Sequence, residues 1–202
     1  MTLSDEKVIQ MPPISLRRII QIGQAVLYEL QPEAVTTPMA VNVARWADFD
    51  LPQRGIHISP ATLAELKDRE AATDASGNGE IEILLRYDFY DQLFMGNKRS
   101  NRARATVVHE LSHVILHVQE LRERKRYPDR PDLLNRLSRA DIPAFEDPEW
   151  QAWALAGCIM MPFHHVKEIM QPGNIDRVAS VFGVSQSFAR KHIETLRRNR
   201  FL

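Results

Sequence analysis

Cysteine is almost absent from this chain. Cys158 stands alone, so no intrachain disulfide can staple the fold, and a reducing compartment is expected. There is no excess of charge of either sign. Lys and Arg number 26 and Asp and Glu 26, a formal net charge of zero, so no overall basic field draws the chain to nucleic acid. Long apolar runs are missing too. No stretch approaches the roughly 20 residues needed to span a bilayer, and residues 1–10 lack the apolar core of a secretion signal. A cytoplasmic protein with no membrane partner is the expectation. The 202 residues suffice for one large domain or two small ones. Basic residues gather locally at 98–104, 122–130 and 197–200, which solvated faces explain most simply.

Against this plain background one stretch stands out. Residues 107–118 read Val-Val-His-Glu-Leu-Ser-His-Val-Ile-Leu-His-Val. Val107, Leu111, Val114, Val118 and Leu121 step by four, three, four and three, an apolar stripe at helical period. At about 100° per residue, His109, His113 and His117 fall away from that stripe, and Glu110 lies between the two. Side chains four apart on a helix are neighbours. Two imidazoles so placed can hold one Zn²⁺, and the glutamate after the first can reach water at the metal. Leu116 and Val108 add apolar surface, so a helix buried nearly all round is expected. Buried histidines and an acid need partners, because unpaired polar groups are costly to bury.

Taken in order, residues 1–14 read as a flexible arm ending at Pro12-Pro13. A helix is expected over 15–30, stopped by Pro32. Residues 41–46 fit a short helix or a strand. Residues 55–59 alternate like a strand, a helix capped by Ser59 is expected over 60–69, and 70–79 are turn-rich. Residues 80–85 read as a second strand, with Ile81, Ile83 and Leu85 on one face. The two strands are expected to pair antiparallel. Residues 87–95 suit a turn or short helix, and Ser100 or Asn101 is a candidate cap for the motif helix. Beyond it comes a polar connection over 122–144, with a possible short helix around Leu133, Leu134 and Leu137. Asp147-Pro148-Glu149 is a strong helix start: a cap, a proline in the first turn and an acid against the helix dipole. The helix it opens should run to Met160 and be buried throughout, Trp150 and Trp153 included. Ala152 and Ala156 leave room for a neighbouring helix.

A catalytic zinc site needs a third protein ligand. His117, Glu149, His164, His165 and acids more distant in the chain are the candidates. Three ligands on one straight helix fit a tetrahedral ion poorly, which disfavours His117. A histidine six residues past His113 would define the metzincins, but Gln119 stands there. Glu149, an acid opening a buried helix, is the best choice, although it equally suits the helix dipole.

Residues 106–117, ending His-Glu-Leu-Ser-His-Val-Ile-Leu-His, resemble the motif helix of ImmA/IrrE-type metallopeptidases. Residues 148–162, Pro-Glu-Trp-Gln-Ala-Trp-Ala-Leu-Ala-Gly-Cys-Ile-Met-Met-Pro, resemble that family's second motif. The likeness extends over roughly residues 15–197. It implies His109 and His113 as zinc ligands, Glu110 as the catalytic acid–base and Glu149 as third ligand. Three positions depart from the pattern: Ser112 where many relatives have glycine, Gln151 where many have a second acid, and Leu155 where an aromatic is common.

The expected fold is α+β: a mainly helical zincin-like metallopeptidase core over 15–171, a small antiparallel sheet, and a C-terminal helix-turn-helix-like hairpin over 172–202. Ala179, Gly183 and Ile193 have the spacing of such a hairpin, and Arg190, Lys191, Arg197 and Arg198 are placed to touch phosphates. Packing against the core is the simpler role for it, and DNA binding is not favoured. The resemblance implies a zinc endopeptidase of narrow range whose partner is a helix-turn-helix transcriptional repressor, cut to derepress stress or mobile-element genes. The alternative is a non-catalytic regulatory protein with a structural metal site, binding DNA or a repressor through its C-terminal helices.

Overall fold

In the computed structural model, which describes residues 7–75, 79–94, 101–125, 136–170 and 174–202, the chain is ordered earlier than expected. Lys7–Ile9 form strand β1, and Met11 is buried. Only residues 1–6 of the expected arm lie outside the described residues. Helix α1 (Leu16–Leu30) starts where the sequence offers a cap: the Ser15 hydroxyl accepts from the Arg18 N–H at 3.3 Å. Two short helices follow, α2 (Glu33–Thr36) and α3 (Val43–Arg45). The second runs on into a π-helical turn over Trp46–Asp50, which puts Trp46 wholly in the core. Residues 41–46 are therefore partly helical and nowhere strand.

The sheet corrects two expectations. Strand β2 (Ile56–Ala61), helix α4 (Leu63–Leu66), strand β3 (Ala71–Asp74) and strand β4 (Ile81–Arg86) give the order β2-β4-β3. The two expected strands do pair, Ile56 opposite Ile81 and Ala61 opposite Arg86, but in parallel. The chain between them reverses twice, and the antiparallel partner of β4 is β3. The expected helix over 60–69 shrinks to one turn. Pro60 continues β2 along the sheet edge, where proline is tolerated. Thr62, not Ser59, is the cap, in a capping box with Glu65. Lys67 and Asp68 then take left-handed backbone angles and end the helix.

Helix α5 (Tyr87–Phe94) precedes the motif helix α6 (Asn101–Lys125); Ser100 lies outside the described residues. Val107, Val108, Leu111, Val114 and Val118 are buried, as the stripe requires, but Ile115 is exposed, so α6 is not covered all round. Leu133 and Leu134 lie outside the described residues, and Leu137 belongs to β5 (Arg136–Ser138), which pairs antiparallel with β1. Helix α7 (Pro148–Met160) opens on Asp147, whose side chain accepts from the Glu149 N–H at 3.0 Å. It packs against α6 and α1. Gly23 permits the second contact, since a methyl there would lie 3.0 Å from Cys158 Cβ. Burial of α7 is not complete: Trp153 is 42% exposed and Trp150 is half-buried.

Helix α8 (Phe163–Ile169) leads to the C-terminal pair, α9 (Ile175–Phe182) and α10 (Gln186–Arg198). Gly183, at φ +59°, makes the left-handed turn between them. Arg104 of α6 is buried and donates to the carbonyls of Val41, Phe182 and Gly183, which ties this hairpin to the motif helix. α10 packs on α7, where His192 Nε2 donates to the Met161 carbonyl at 3.0 Å. No helix among the described residues is long and apolar enough to cross a membrane.

Two outcomes follow from the α7–α10 contact. A methyl at Gly157 would lie 2.4 Å from His192 Nδ1, inside a ring with no room to retreat. Gly157→Ala should destabilise the fold by about 1–3 kcal/mol in denaturant unfolding, despite alanine's better helix propensity. An unchanged midpoint would show that α10 yields. Burial also holds the His192 imidazole down to about 4 from its ordinary 6.5. Between those values the unfolded chain binds a proton that the folded chain does not, so stability falls as pH drops through this window. The loss should reach about 3 kcal/mol near pH 4. In unfolding measured across that range, His192→Gln should flatten the slope; an unchanged slope would place the acid sensitivity elsewhere.

Candidate active site

Helix α6 presents His109 and His113 on one face, as their spacing requires, and α7 brings the Glu149 carboxylate to meet them. The Nε2 atoms of His109 and His113 are 3.2 Å apart. His109 Nε2 is 3.2 Å from Glu149 Oε2, and His113 Nε2 is 3.2 Å from Glu149 Oε1. Bonds of about 2.0–2.1 Å to a tetrahedral ion imply edges of about 3.3–3.4 Å between ligand atoms. The three distances, which involve both Glu149 oxygens, are close to that, and the donor set, two imidazole nitrogens and a carboxylate, suits zinc. The residues present therefore fit a metal ion, and this is the one such group among the described residues. Burial alone would raise the Glu149 pKa, but hydrogen bonds from His109 and His113 outweigh it and hold the carboxyl well below the usual carboxylate range. Glu149 thus stands ready as an anion.

Each side chain is held in its own way. The His109 ring stacks on Trp153, with centroids 4.1 Å apart and planes 21° apart, and Phe188 of α10 meets the indole edge-on. His109 Nδ1 has no hydrogen-bond partner among the described residues. His113 Nδ1 is 3.0 Å from His117 Nδ1, and His117 Nε2 is 2.9 Å from Gln151 Oε1. His117 is buried. Its burial, with His113 beside it, pushes its pKa down to about 4. Glu110 Oε2 accepts from the Thr73 hydroxyl at 2.8 Å. Thr73 belongs to β3, the edge of the sheet, so the sheet reaches the site through one short strand.

These groups open into one cleft of about 780 Å³. It is bounded by β1, β3, α6 and the start of α7, with Glu110, Glu149 and Trp153 on its walls. Glu149 keeps 32% of its side chain exposed, on the side where a fourth ligand or a substrate would enter.

The geometry sorts the sequence candidates. His109, His113 and Glu149 converge, and Glu110 lines the same cleft. His117 is directed away from the convergence point, to His113 Nδ1 and Gln151. His164 bonds the Val35 carbonyl at 2.9 Å, and His165 lies near Glu168; neither lines the cleft. Thr73 and Trp153 were not singled out from the sequence as site residues. Trp153 is four residues past Glu149, so helical spacing carried that signal. Thr73 had none, because β3 is only four residues long and reads Ala-Ala-Thr-Asp.

A model of the IrrE N-terminal-like domain, a peptidase family, matches residues 93–194. The chain belongs to the ImmA/IrrE family. The match runs from the end of α5 to within α10, so it contains His109, Glu110, His113 and Glu149 together with the C-terminal hairpin. No curated protein matches the chain. Membership in the ImmA/IrrE family supports a metallopeptidase-type function, and the His-His-Glu group supplies a place for the metal.

Glu149→Ala removes one corner of the triangle and should abolish stoichiometric retention of divalent metal in elemental analysis. Thr73→Val, which touches only Glu110 within this set, should leave the metal content unchanged. Retention by the alanine variant would move the third ligand elsewhere.

Proposed function

We propose that this chain is a zinc-dependent endopeptidase in which His109, His113 and Glu149 hold the metal and Glu110 is the general base. The observation that carries the reading is the convergence of His109 Nε2, His113 Nε2 and the Glu149 carboxylate beside a cleft that Glu110 also lines. Zinc held there would supply Lewis acidity, acidifying water and polarising the scissile carbonyl. Glu110 takes the proton from water and passes it to the leaving amine. Thr73 aims the carboxylate through its hydrogen bond to Oε2. Strand β3 has β4 on one side and runs beside the cleft on the other. Among the described residues β4 is the one strand paired with β3, and the cleft-facing edge suits a substrate segment in extended conformation, bound by main-chain hydrogen bonds.

The substrate class is a helix-turn-helix transcriptional repressor, as the family resemblance implies, and the setting is cytoplasmic regulation of stress or mobile-element genes. A cleft walled by Trp153 agrees with a selective peptidase. The C-terminal hairpin serves chiefly to support the core, since its buried side bonds Met161 and Arg104.

The test is cleavage of a candidate repressor by the zinc-loaded chain. Glu110→Gln should keep the metal and lose at least about a hundredfold in rate. Undiminished cleavage by that variant would overturn the mechanism.

A further inference from the structure

Gln151 looks like an ordinary buried residue of α7, but its hydrogen bonds leave it no freedom. Its Nε2 lies 3.0 Å from the Pro12 carbonyl and 2.8 Å from the Phe145 carbonyl. Both partners are acceptors, so only the NH₂ end of the amide can face them. The opposite end, Oε1, must then face His117 Nε2, 2.9 Å away. An amide oxygen accepts and cannot donate, so His117 carries its proton on Nε2. A buried neutral imidazole has one donor and one acceptor. His117 Nδ1 is therefore the acceptor, and its neighbour at 3.0 Å is His113 Nδ1. His113 must carry a proton there. Its other nitrogen, Nε2, is directed at the point where His109 and Glu149 converge.

We propose that Gln151 and His117 are positioning residues that hold a proton on Nδ1 of His113, so that Nε2 is the nitrogen presented to the metal. The chain of constraint starts at two backbone carbonyls, outside α6 and before α7, and ends at a ligand atom. Without it, the other tautomer of His113 would place a proton on Nε2, where a ligand must have none. His109 has no such device. Its Nδ1 lacks a partner among the described residues, and its ring is oriented by Trp153. The two histidines of one motif are thus prepared differently, His113 by hydrogen bonds and His109 by stacking.

This inference rests on the metal-binding reading of His109, His113 and Glu149, and the experiment separates the two. The first readout is the ring-nitrogen NMR spectrum of the metal-free native chain at neutral pH. His113 should be protonated at Nδ1 and His117 at Nε2. A metal-free chain with His113 unprotonated at Nδ1 would overturn the relay, whatever metal it later binds. The second readout is zinc affinity by competition with a chelator. Gln151→Leu should bind zinc about ten- to hundredfold more weakly, the usual cost of removing such an outer partner. In the same variant the protons of His117 and His113 should no longer be held on Nε2 and Nδ1, a change that lost packing alone would not produce. Gln151→Leu binding as tightly as the native chain would overturn the proposal. Weaker binding with the native protonation of both rings would overturn it too, because it would show that packing alone matters. A native chain with the expected tautomers but no zinc affinity would instead remove the metallopeptidase reading. Thermal unfolding of the metal-free variant confirms that folded protein is compared.

Discussion

The packing of α6 against α7 is the contact on which the rest of this protein depends. Each helix alone carries an incomplete set of groups. Two imidazoles on α6 and one carboxylate on α7 make a three-atom pocket only when the helices lie side by side at the right register. The apolar residues that hold them there, Val107, Leu111 and Val114 on α6 and Leu155 and Ile159 on α7, are buried. Small residues allow the close fit of α7 to its neighbours. Gly23 meets Cys158 from α1, and Gly157 meets the ring of His192 from α10. A core this closely packed responds to a single added methyl, so the same packing that sets ligand distances also limits which residues the helices tolerate.

Burying polar groups at such a contact is costly unless each finds a partner. The protein meets that demand with several unrelated devices. Arg104 satisfies carbonyls at the end of α9 and reaches Val41 as well. Thr73 steadies Glu110 from the sheet. Gln151 takes two carbonyls from the chain segments ahead of α1 and α7 and faces His117 with its oxygen. Their sequence separations are large: Pro12 is far from Gln151, and Thr73 is far from Glu110. The site is therefore a property of the whole described core, although its ligand atoms come from two helices. The ordering of residues 7–14 follows from the same logic, since β1 has β5 to pair with and the Pro12 carbonyl has Gln151 to accept from.

Much of this was legible beforehand wherever a local period or cap carried the information. The His109–His113 spacing, the Asp147 cap and the glycine turn at Gly183 all act within a few residues, and each appears as expected. The misreadings have a common cause. Residues 60–69 have helical composition, but strand pairing extends β2 through Pro60 and leaves helix for a single turn. Ala71–Asp74 has little strand signal, and its pairing with β4 decides its conformation. The direction of the β2–β4 pair depends on the path between them, which alternation of side chains does not encode. Trp153 was expected in the core because it is large and apolar. It stands at the cleft because it shares the helix face of Glu149.

By itself the sequence determined the chemistry on offer: a histidine pair at one helical step, a glutamate beside them, a second helix opening on an acid, and no net charge, cysteine pair or long apolar run. These follow from local geometry, in which residues three or four apart on a helix must be neighbours. Only the tertiary structure brings Glu149, and not His164 or His165, against His109 and His113, and turns Gln151 to His117. Such choices rest on helix rotation and on hydrogen bonds between residues far apart in the chain, and no local pattern contains them.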